Sequence, residues 1–367
     1  MSLTNSKYRF LFAGGGTGGH LFPAIAVAEE IRTLEPESDI LFIGAKTKIE
    51  GKVVPQSGFK FKSIWIKGFS RKLTFDNLLF PVRLIVSVIQ SILINMKFRP
   101  RVAIGSGGYV SGPAVYASSI LGAKIILLEQ NSYPGITTRL LEKYADEIHI
   151  SFENSIKYFR SPDKVILSGN PIRKTLQRMD RANALREFGL SENKKTLLVL
   201  GGSLGAASIN EAVASFTRDL SENNIQLLWQ TGKNYFEFYK EYEKKDIRVN
   251  KFIDNMQAAY SACDLLISRA GATTIAEVLS LGVAAVFVPS PNVAENHQFQ
   301  NAKSLADVGA AVLIEDKNLK SELIDVVLTL INNQEKLEEL SKNARALAKP
   351  DAAHIIAMRA INYAKAV

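Results

Sequence analysis

Apolar residues in this chain fall in short continuous runs, each closed by glycine or by a few polar side chains. Residues 8–12, 39–43, 102–104 and 125–128 form such runs in the first half, and Glu147-Ile-His-Ile150 reads as a further short buried strand. Residues 195–200, 225–229, 264–268 and 284–288 form them in the second, and 249–253 reads as a further strand although Asn250 and Lys251 interrupt it. Runs that are apolar throughout, rather than alternating, predict strands covered on both faces, as in parallel sheets. After the first run, residues 24–34 carry Ile25, Ala28, Ile31 and Leu34 on one helical face. The chain closes in helices, including 352–366 after Pro350. Strands alternating with helices predict an α/β fold built on doubly wound parallel sheets. The pattern restarts near residue 195, so two similar sheets are expected in 367 residues, enough for each to have its own core.

One segment breaks this rhythm. Lys60, Lys62, Lys67, Arg71 and Lys72 are followed by Phe75, Leu78, Leu79, Phe80 and Val82. An apolar run over 84–96 comes next, interrupted by Ser87, Gln90, Ser91 and Asn95. With Pro81 and Arg83 at its start the run is too short to span a bilayer, which takes ~20 apolar residues. It reads as a buried crossover helix. The basic cluster beside 75–80 suits the interface of an anionic membrane, and its alternative is a solvated loop over the core.

The places where strands end carry the candidate chemistry. The first strand runs into Gly14-Gly-Gly-Thr-Gly-Gly-His20, with Pro23 near the expected helix start. Glycine lets a ligand lie against the backbone, and a helix N-terminus beside it offers unpaired N–H groups to an anion. His20 is the one group there able to exchange a proton near neutral pH. Gly14, Gly16 and Gly19 also satisfy G-x-G-x-x-G, the nicotinamide-dinucleotide fingerprint, which needs an acidic residue at the end of the second strand. That strand ends Gly44-Ala45-Lys46, with Asp39 before it and Glu50 well after, which weakens the idea, although Lys46 and Lys48 would suit a 2′-phosphate. A second glycine stretch, Gly105-Ser-Gly-Gly-Tyr-Val-Ser-Gly112, sits at a later strand end, and Glu129-Gln-Asn131 at the next. Gly169-Asn-Pro-Ile-Arg173 has turn chemistry without periodicity and reads as the link between domains. In the second half Gly201-Gly-Ser-Leu-Gly205 repeats the strand–glycine–helix opening. Arg269-Ala-Gly-Ala-Thr-Thr-Ile-Ala-Glu277 leads into a further helix. Thr274 and Glu277 have capping-box spacing, so that stretch is either a structural helix start or a second anion site with Glu277 on sugar hydroxyls.

A net charge of +9 and a pI near 9.4 favour anionic partners. The single cysteine, Cys263, leaves no internal disulfide and no cysteine-rich metal site, as expected in a reducing cytoplasm. No secretory signal is expected, since Lys7 and Arg9 lead directly into a strand.

Taken in order, these motifs, together with His297-Gln298, resemble the MurG family of bacterial N-acetylglucosaminyltransferases from residue 8 to the C-terminus. The resemblance implies a GT-B architecture, two Rossmann-like domains facing across a cleft. An acceptor and membrane-associating domain is expected over 1–168 plus 351–367, and a UDP-sugar-binding domain over 169–350. It implies inverting transfer from UDP-N-acetylglucosamine to the muramyl 4-hydroxyl of lipid I, giving lipid II for peptidoglycan synthesis. It also implies peripheral attachment, through residues 62–82, to an anionic membrane on the cytoplasmic side. Cell-wall synthesis proteins are possible partners by the same resemblance, and nucleic acid is not a partner. His20 is the implied base. Thr17, Gly18 and Gly19 are implied near the transferring sugar and diphosphate, and Asn131 and Gln298 on the sugar hydroxyls. Arg173 and Ser203 are implied near the diphosphate, and Ile253 on the uracil through its backbone. Ala272, Thr273, Thr274, Ile275 and Ala276 would supply a helix N-terminus under the phosphates, and Glu277 would take the ribose. Gly107, Gly108 and Tyr109 are acceptor-side candidates. Some relatives have two glutamines at positions 297–298, so His297 is a departure from their pattern. The chain has no Asp-x-Asp pair, so neither a protein-bound metal nor a cofactor is expected. His149 and His354 read as structural. The alternatives are a GT-B enzyme acting on another lipid or epimerising a nucleotide sugar, an NAD(P) oxidoreductase, and a non-enzymatic membrane-bound scaffold.

Overall fold

The computed structural model describes residues 8–68, 78–293 and 296–366. It divides the chain into two compact units. One runs through Arg173 and takes back the chain from Lys349 onward; the other is Lys174–Ala348.

In the first unit the strands are β1 (Arg9–Ala13), β2 (Asp39–Gly44), β3 (Lys60–Ser63), β4 (Val102–Gly105), β5 (Lys124–Glu129), β6 (Glu147–Ile150) and β7 (Val165–Leu167). They form one parallel sheet in the order β3-β2-β1-β4-β5-β6-β7. Its helices are α1 (Gly18–Leu34), α2 (Ile49–Gln56), α3 (Phe80–Phe98), α4 (Ser111–Ile120) and α5 (Ile136–Leu141). Successive strand residues point to opposite faces, so each face has its own core. Phe10, Phe12, Phe42 and Ile126 meet Leu21, Ile25 and Ile31 of α1, together with Ile356 and Ile361 of the terminal helix Ala352–Ala366. Leu11, Ile43, Ile125 and Ile148 meet Val115 of α4 and Leu141 of α5 on the other face.

The second unit repeats the plan with β8 (Lys195–Leu200), β9 (Ile225–Gln230), β10 (Ile247–Asn250), β11 (Leu265–Ser268), β12 (Ala285–Phe287) and β13 (Val312–Leu313). Their order is β10-β9-β8-β11-β12-β13, again parallel. Its helices are α6 (Arg181–Glu187), α7 (Ala207–Ser215), α8 (Thr217–Glu222), α9 (Phe236–Tyr239), α10 (Met256–Ala262), α11 (Ala272–Leu281), α12 (His297–Ala306), α13 (Leu319–Ile331) and α14 (Gln334–Ala346). Fully buried Trp229 centres one face, its indole N–H donating to Asn210 Oδ1 at 2.9 Å. In each sheet the order reverses beside the first strand, between β1 and β4 and between β8 and β11. Ligands of open α/β sheets bind outside the carboxyl ends of the strands at such a reversal.

Three sequence expectations are corrected here. The helix expected over 24–34 begins at Gly18, with Thr17 as N-cap and Pro23 inside it, so His20 lies in its first turn. The strand expected over 249–253 is Ile247–Asn250, which leaves Ile253 in the loop beyond it. The third concerns the run 84–96. It belongs to a 19-residue helix, α3, whose buried side is polar: Ser87, Ser91 and Asn95. Asn95 Oδ1 accepts from Ser118 Oγ of α4 at 2.7 Å. Val82, Ile85, Ile89, Leu93 and Met96 are at least half exposed. By length and composition α3 is apolar enough to cross a membrane, yet one side of it packs on α4. Arg71, Lys72 and Phe75 of the basic stretch lie outside the described residues.

The terminal helix is held to the first unit by charge as well as by its core face. Arg359 forms a two-pronged ion pair with Glu147 of β6. The Tyr363 hydroxyl donates to Glu147 at 3.0 Å, and the His149 ring contributes a hydrogen bond at 3.3 Å. His354 pairs with buried Glu30 of α1 at 2.7 Å. Burial pushes the Glu147 carboxyl up, but the hydrogen bonds from His149, Arg359 and Tyr363 outweigh it and bring it down to about 2. Because the folded carboxyl titrates below its unfolded value, its stabilisation is fully present above about pH 4.5 and is lost as pH falls toward 2. Glu147→Gln is therefore expected to cost ~1–2 kcal/mol at pH 7. Urea unfolding of both proteins across pH should show the difference shrinking below pH 4.5. A constant difference down to pH 3 contradicts this.

Candidate functional site

At the first unit's reversal point two glycine loops interlock. Ala13 and Gly105, the last residues of β1 and β4, are paired partners. A Cβ on Gly107, whose φ is +95°, would lie 2.7 Å from His20 Nδ1. Only glycine lets the β4 loop come so close to the imidazole. Thr17 is exposed and supplies no side-chain cap to α1. The helix therefore presents the N–H groups of Gly18, Gly19 and His20 without intrahelical partners.

His20 is oriented from a third strand. Its Nδ1 lies 3.0 Å from Oε1 of Gln130, just past the end of β5, and Gln130 Nε2 donates to the Leu128 carbonyl at 3.2 Å. That second bond turns the amide oxygen toward the ring, so Nδ1–H donates to Gln130 and Nε2 keeps the lone pair. A neutral imidazole held in this tautomer can accept a proton at Nε2. Asn131, beside Gln130, has its backbone N–H on Glu129 Oε1 at 3.1 Å. Gly108 and Tyr109 continue the β4 loop. The Tyr109 hydroxyl is buried without a hydrogen-bond partner among the described residues, and burial, then the Glu50 charge, push its titration up. Arg173 ends the first unit, exposed, with its guanidinium 5.3 Å from the centre of the Phe22 ring.

The second unit has its own reversal point, where Leu200 of β8 pairs with Ser268 of β11. Past β8, the loop 201–205 carries exposed Ser203, and past β11 the chain enters α11. The N-cap of α11 is Gly271, not Thr274, and no side chain caps the helix, so the capping-box reading is overturned. Ala272, Thr273 and Thr274 form its first turn, and the Thr273 hydroxyl is buried without a described partner. An uncapped N-terminus carries roughly half a positive charge and open N–H donors, which is the equipment of an anion site. Ile275 and Ala276 follow, and Glu277 Oε2 accepts from the hydroxyl of fully buried Tyr260 at 2.8 Å. The Ile253 N–H donates to Oε1 of Gln230, the last residue of β9, at 2.8 Å. Gln298 stands in the first turn of α12, its Oε1 accepting from the Ser290 N–H at 2.9 Å.

The structure thus brings Thr17, Gly18, Gly19, His20, Gly107, Gly108 and Tyr109 together at one reversal point. At the other, the loop that carries Ser203 and the start of α11 follow the paired ends of β8 and β11. Sequence reasoning passed over Gln130, and weighed Glu50 only as a ribose-binding acid placed too far from its strand. The signal for Gln130 was present, since the run Glu129-Gln-Asn131 closes the strand beside β4, and the residue that holds His20 is its middle one.

Residues 10–150 match the glycosyltransferase family 28 N-terminal domain, and residues 196–356 match the C-terminal domain of the same family. The chain is 45% identical over 349 residues to the UDP-N-acetylglucosamine--N-acetylmuramyl-(pentapeptide) pyrophosphoryl-undecaprenol N-acetylglucosamine transferase of Flavobacterium psychrophilum, covering 94% of this chain and 95% of that protein. It is 43% identical over 368 residues to the protein of the same name from Bacteroides thetaiotaomicron, covering 98% and 99%. The crystal structure of Acinetobacter baumannii MurG aligns with a TM-score of 0.77 at 28% identity, over 97% of this chain and 99% of that one. Two parallel-sheet domains of this order are the GT-B fold. With both family domains present in sequence and relatives at 43–45% identity along nearly its whole length, the protein belongs to glycosyltransferase family 28, in its MurG branch.

Proposed function

We propose that this protein transfers N-acetylglucosamine from UDP-N-acetylglucosamine to the muramyl 4-hydroxyl of lipid I, with inversion, forming lipid II for peptidoglycan. The relatives' shared name supports the donor and acceptor. The observation that carries the chemistry is the uncapped N-terminus of α11 at the second unit's reversal point, whose first turn holds the Thr273 hydroxyl, buried without a described partner. There the diphosphate of UDP accepts from the N–H groups of residues 272–274 and from the Ser203 side. The Ile253 carbonyl accepts from the uracil, and Glu277 takes the ribose. The acceptor oxygen bonds to the anomeric carbon as the bond to the UDP oxygen breaks, and the hydroxyl proton passes to His20 Nε2. The charge developing on UDP is met by the helix terminus, a fixed dipole that needs no reorganisation. Thr17–Gly19 and Asn131 bear on the sugar, and Gly107–Tyr109 serve the acceptor.

The nicotinamide reading has less support. That fold needs the first glycine turn to open its N–H groups to a pyrophosphate, whereas the Gly16 N–H donates to the Glu50 carboxylate at 3.0 Å.

We further propose that the protein works on the cytoplasmic face of the membrane, attached through the outward stripe of α3. Trp65, 49% exposed, sits at its start with the Arg83 guanidinium 5.6 Å from the centre of its ring. Such a helix lies in the interface with its apolar side down.

Labelled UDP-N-acetylglucosamine incubated with a lipid I analogue and this protein is expected to give labelled disaccharide lipid at a rate unchanged by EDTA. No labelled lipid, or transfer that returns only when Mg²⁺ is restored, contradicts the proposal.

A further inference from the structure

Glu50 is a charged side chain that the chemistry above does not use, yet it is 1% exposed. It stands in the first turn of α2 and reaches beneath the glycine turn that follows β1. Its Oε2 accepts from the Gly16 N–H at 3.0 Å, and its Oε1 accepts from the Ala45 N–H, just past β2, also at 3.0 Å. Glycines make the room. A Cβ on Gly15 would lie 2.4 Å from Glu50 Cδ, and one on Gly44 would lie 2.5 Å from Cγ. The carboxylate therefore fills a notch between the ends of β1 and β2 and ties one to the other. The next residue after Gly16 is Thr17, the N-cap of α1, and His20 is in that helix's first turn.

We propose that Glu50 is a positioning residue for the transfer: by holding the Gly16 and Ala45 N–H groups it fixes the glycine turn, and so the place of Thr17 and His20, without touching either substrate. Burying a carboxylate costs free energy unless its oxygens are well bonded. A residue needed only to fill the notch would be apolar. Two N–H groups converging on two oxygens select a group that accepts at both ends. Glutamine does not, because its nitrogen would face an N–H, donor against donor. The same bond removes the Gly16 N–H from any ligand and sets a negative charge under the turn. The turn is left better suited to neutral sugar hydroxyls than to a phosphate. Tyr109 fits this arrangement from the other side, since a Cβ on Gly16 would lie 3.1 Å from its ring.

The proposal rests on His20 acting in the transfer, so the test separates the two. In the intact protein, Glu50→Gln is expected to lower kcat about 10–100-fold, because a displacement of about 1 Å at the reacting groups has that scale of effect. The KM for UDP-N-acetylglucosamine, whose phosphate and base contacts lie on the second unit, should stay within about twofold. Hydrogen exchange in a peptide covering 14–20 should quicken while β1 and β2 keep their protection. Glu50→Asp, which keeps two acceptor oxygens, should recover part of both losses. Wild-type turnover in Glu50→Gln overturns the proposal. So does lost turnover with unchanged exchange at 14–20, or loss of protection across β1 and β2 in both variants, which would make Glu50 a folding residue only. If the wild-type protein transfers no sugar, the function proposed above fails, and the exchange arm still decides whether Glu50 fixes the turn.

Discussion

His20→Ala is expected to lower turnover by about 10²–10⁴-fold, the scale of a positioned general base, while leaving affinity for UDP-N-acetylglucosamine nearly unchanged. The split follows from geometry. The imidazole is in the first turn of α1, against Gly107, and its bond to Gln130 leaves Nε2 as acceptor. The groups assigned to the nucleotide are on the other unit. Gln130 offers a second reading of the same claim. Gln130→Leu should cost about tenfold in kcat, since the ring loses the partner that selects its tautomer. Gln130→Glu places a carboxylate on Nδ1–H, stabilises the imidazolium and moves the acidic limb of the kcat/KM profile to higher pH. Near-normal turnover in His20→Ala, or an acidic limb that stays in place in Gln130→Glu, removes His20 from the base role.

Charging the outward face of α3 is expected to release the protein from membranes without harming its chemistry. Ile85, Ile89 and Leu93 are 61%, 52% and 61% exposed and follow one another at helical spacing. Inserting the exposed part of an isoleucine or leucine is worth about 1 kcal/mol. With Val82 and Met96 the stripe supplies roughly 5 kcal/mol, or about 10³–10⁴ in partitioning, to which each nearby Lys or Arg adds about 1 kcal/mol on an anionic surface. The triple change Ile85→Glu, Ile89→Glu and Leu93→Glu should reduce co-sedimentation with anionic vesicles by at least about 10²-fold. Activity on a water-soluble acceptor analogue should persist, because the substituted face points away from α4 and the glycine loops behind it. Vesicle binding equal to that of the unaltered protein would show that α3 is not the attachment surface.

The sheets were legible because buried parallel strands leave an unambiguous trace, as in Phe10-Leu-Phe-Ala13 or Leu197-Leu-Val-Leu200, each followed by glycine. The glycine turns followed from the same trace, while the roles given to single residues in and around them came from the family resemblance. What escaped depended on contacts between distant positions. Gln130 meets His20 across 110 residues and Glu50 meets Gly16 across 34, and neither spacing has a local signature. The start of α1 was hidden by glycine's weak helical preference, so Pro23 looked like the first turn. Thr274 and Glu277 mimic a cap because the true N-cap, Gly271, has no side chain to announce it. Helix α3 was misread for a different reason. Apolar runs are buried more often than exposed, but Ser87, Ser91 and Asn95 recur every four residues and mark a polar stripe. That stripe faces the protein, and the apolar remainder faces out.

A crystal structure of this protein with UDP bound would bear on the proposed chemistry without reference to any variant. The diphosphate is expected within hydrogen-bond distance of the N–H groups of Ala272, Thr273 and Thr274, with the uracil at the Ile253 carbonyl and the ribose at Glu277. A diphosphate seated instead on the first unit's turn at 14–19, with the start of α11 empty, would contradict it.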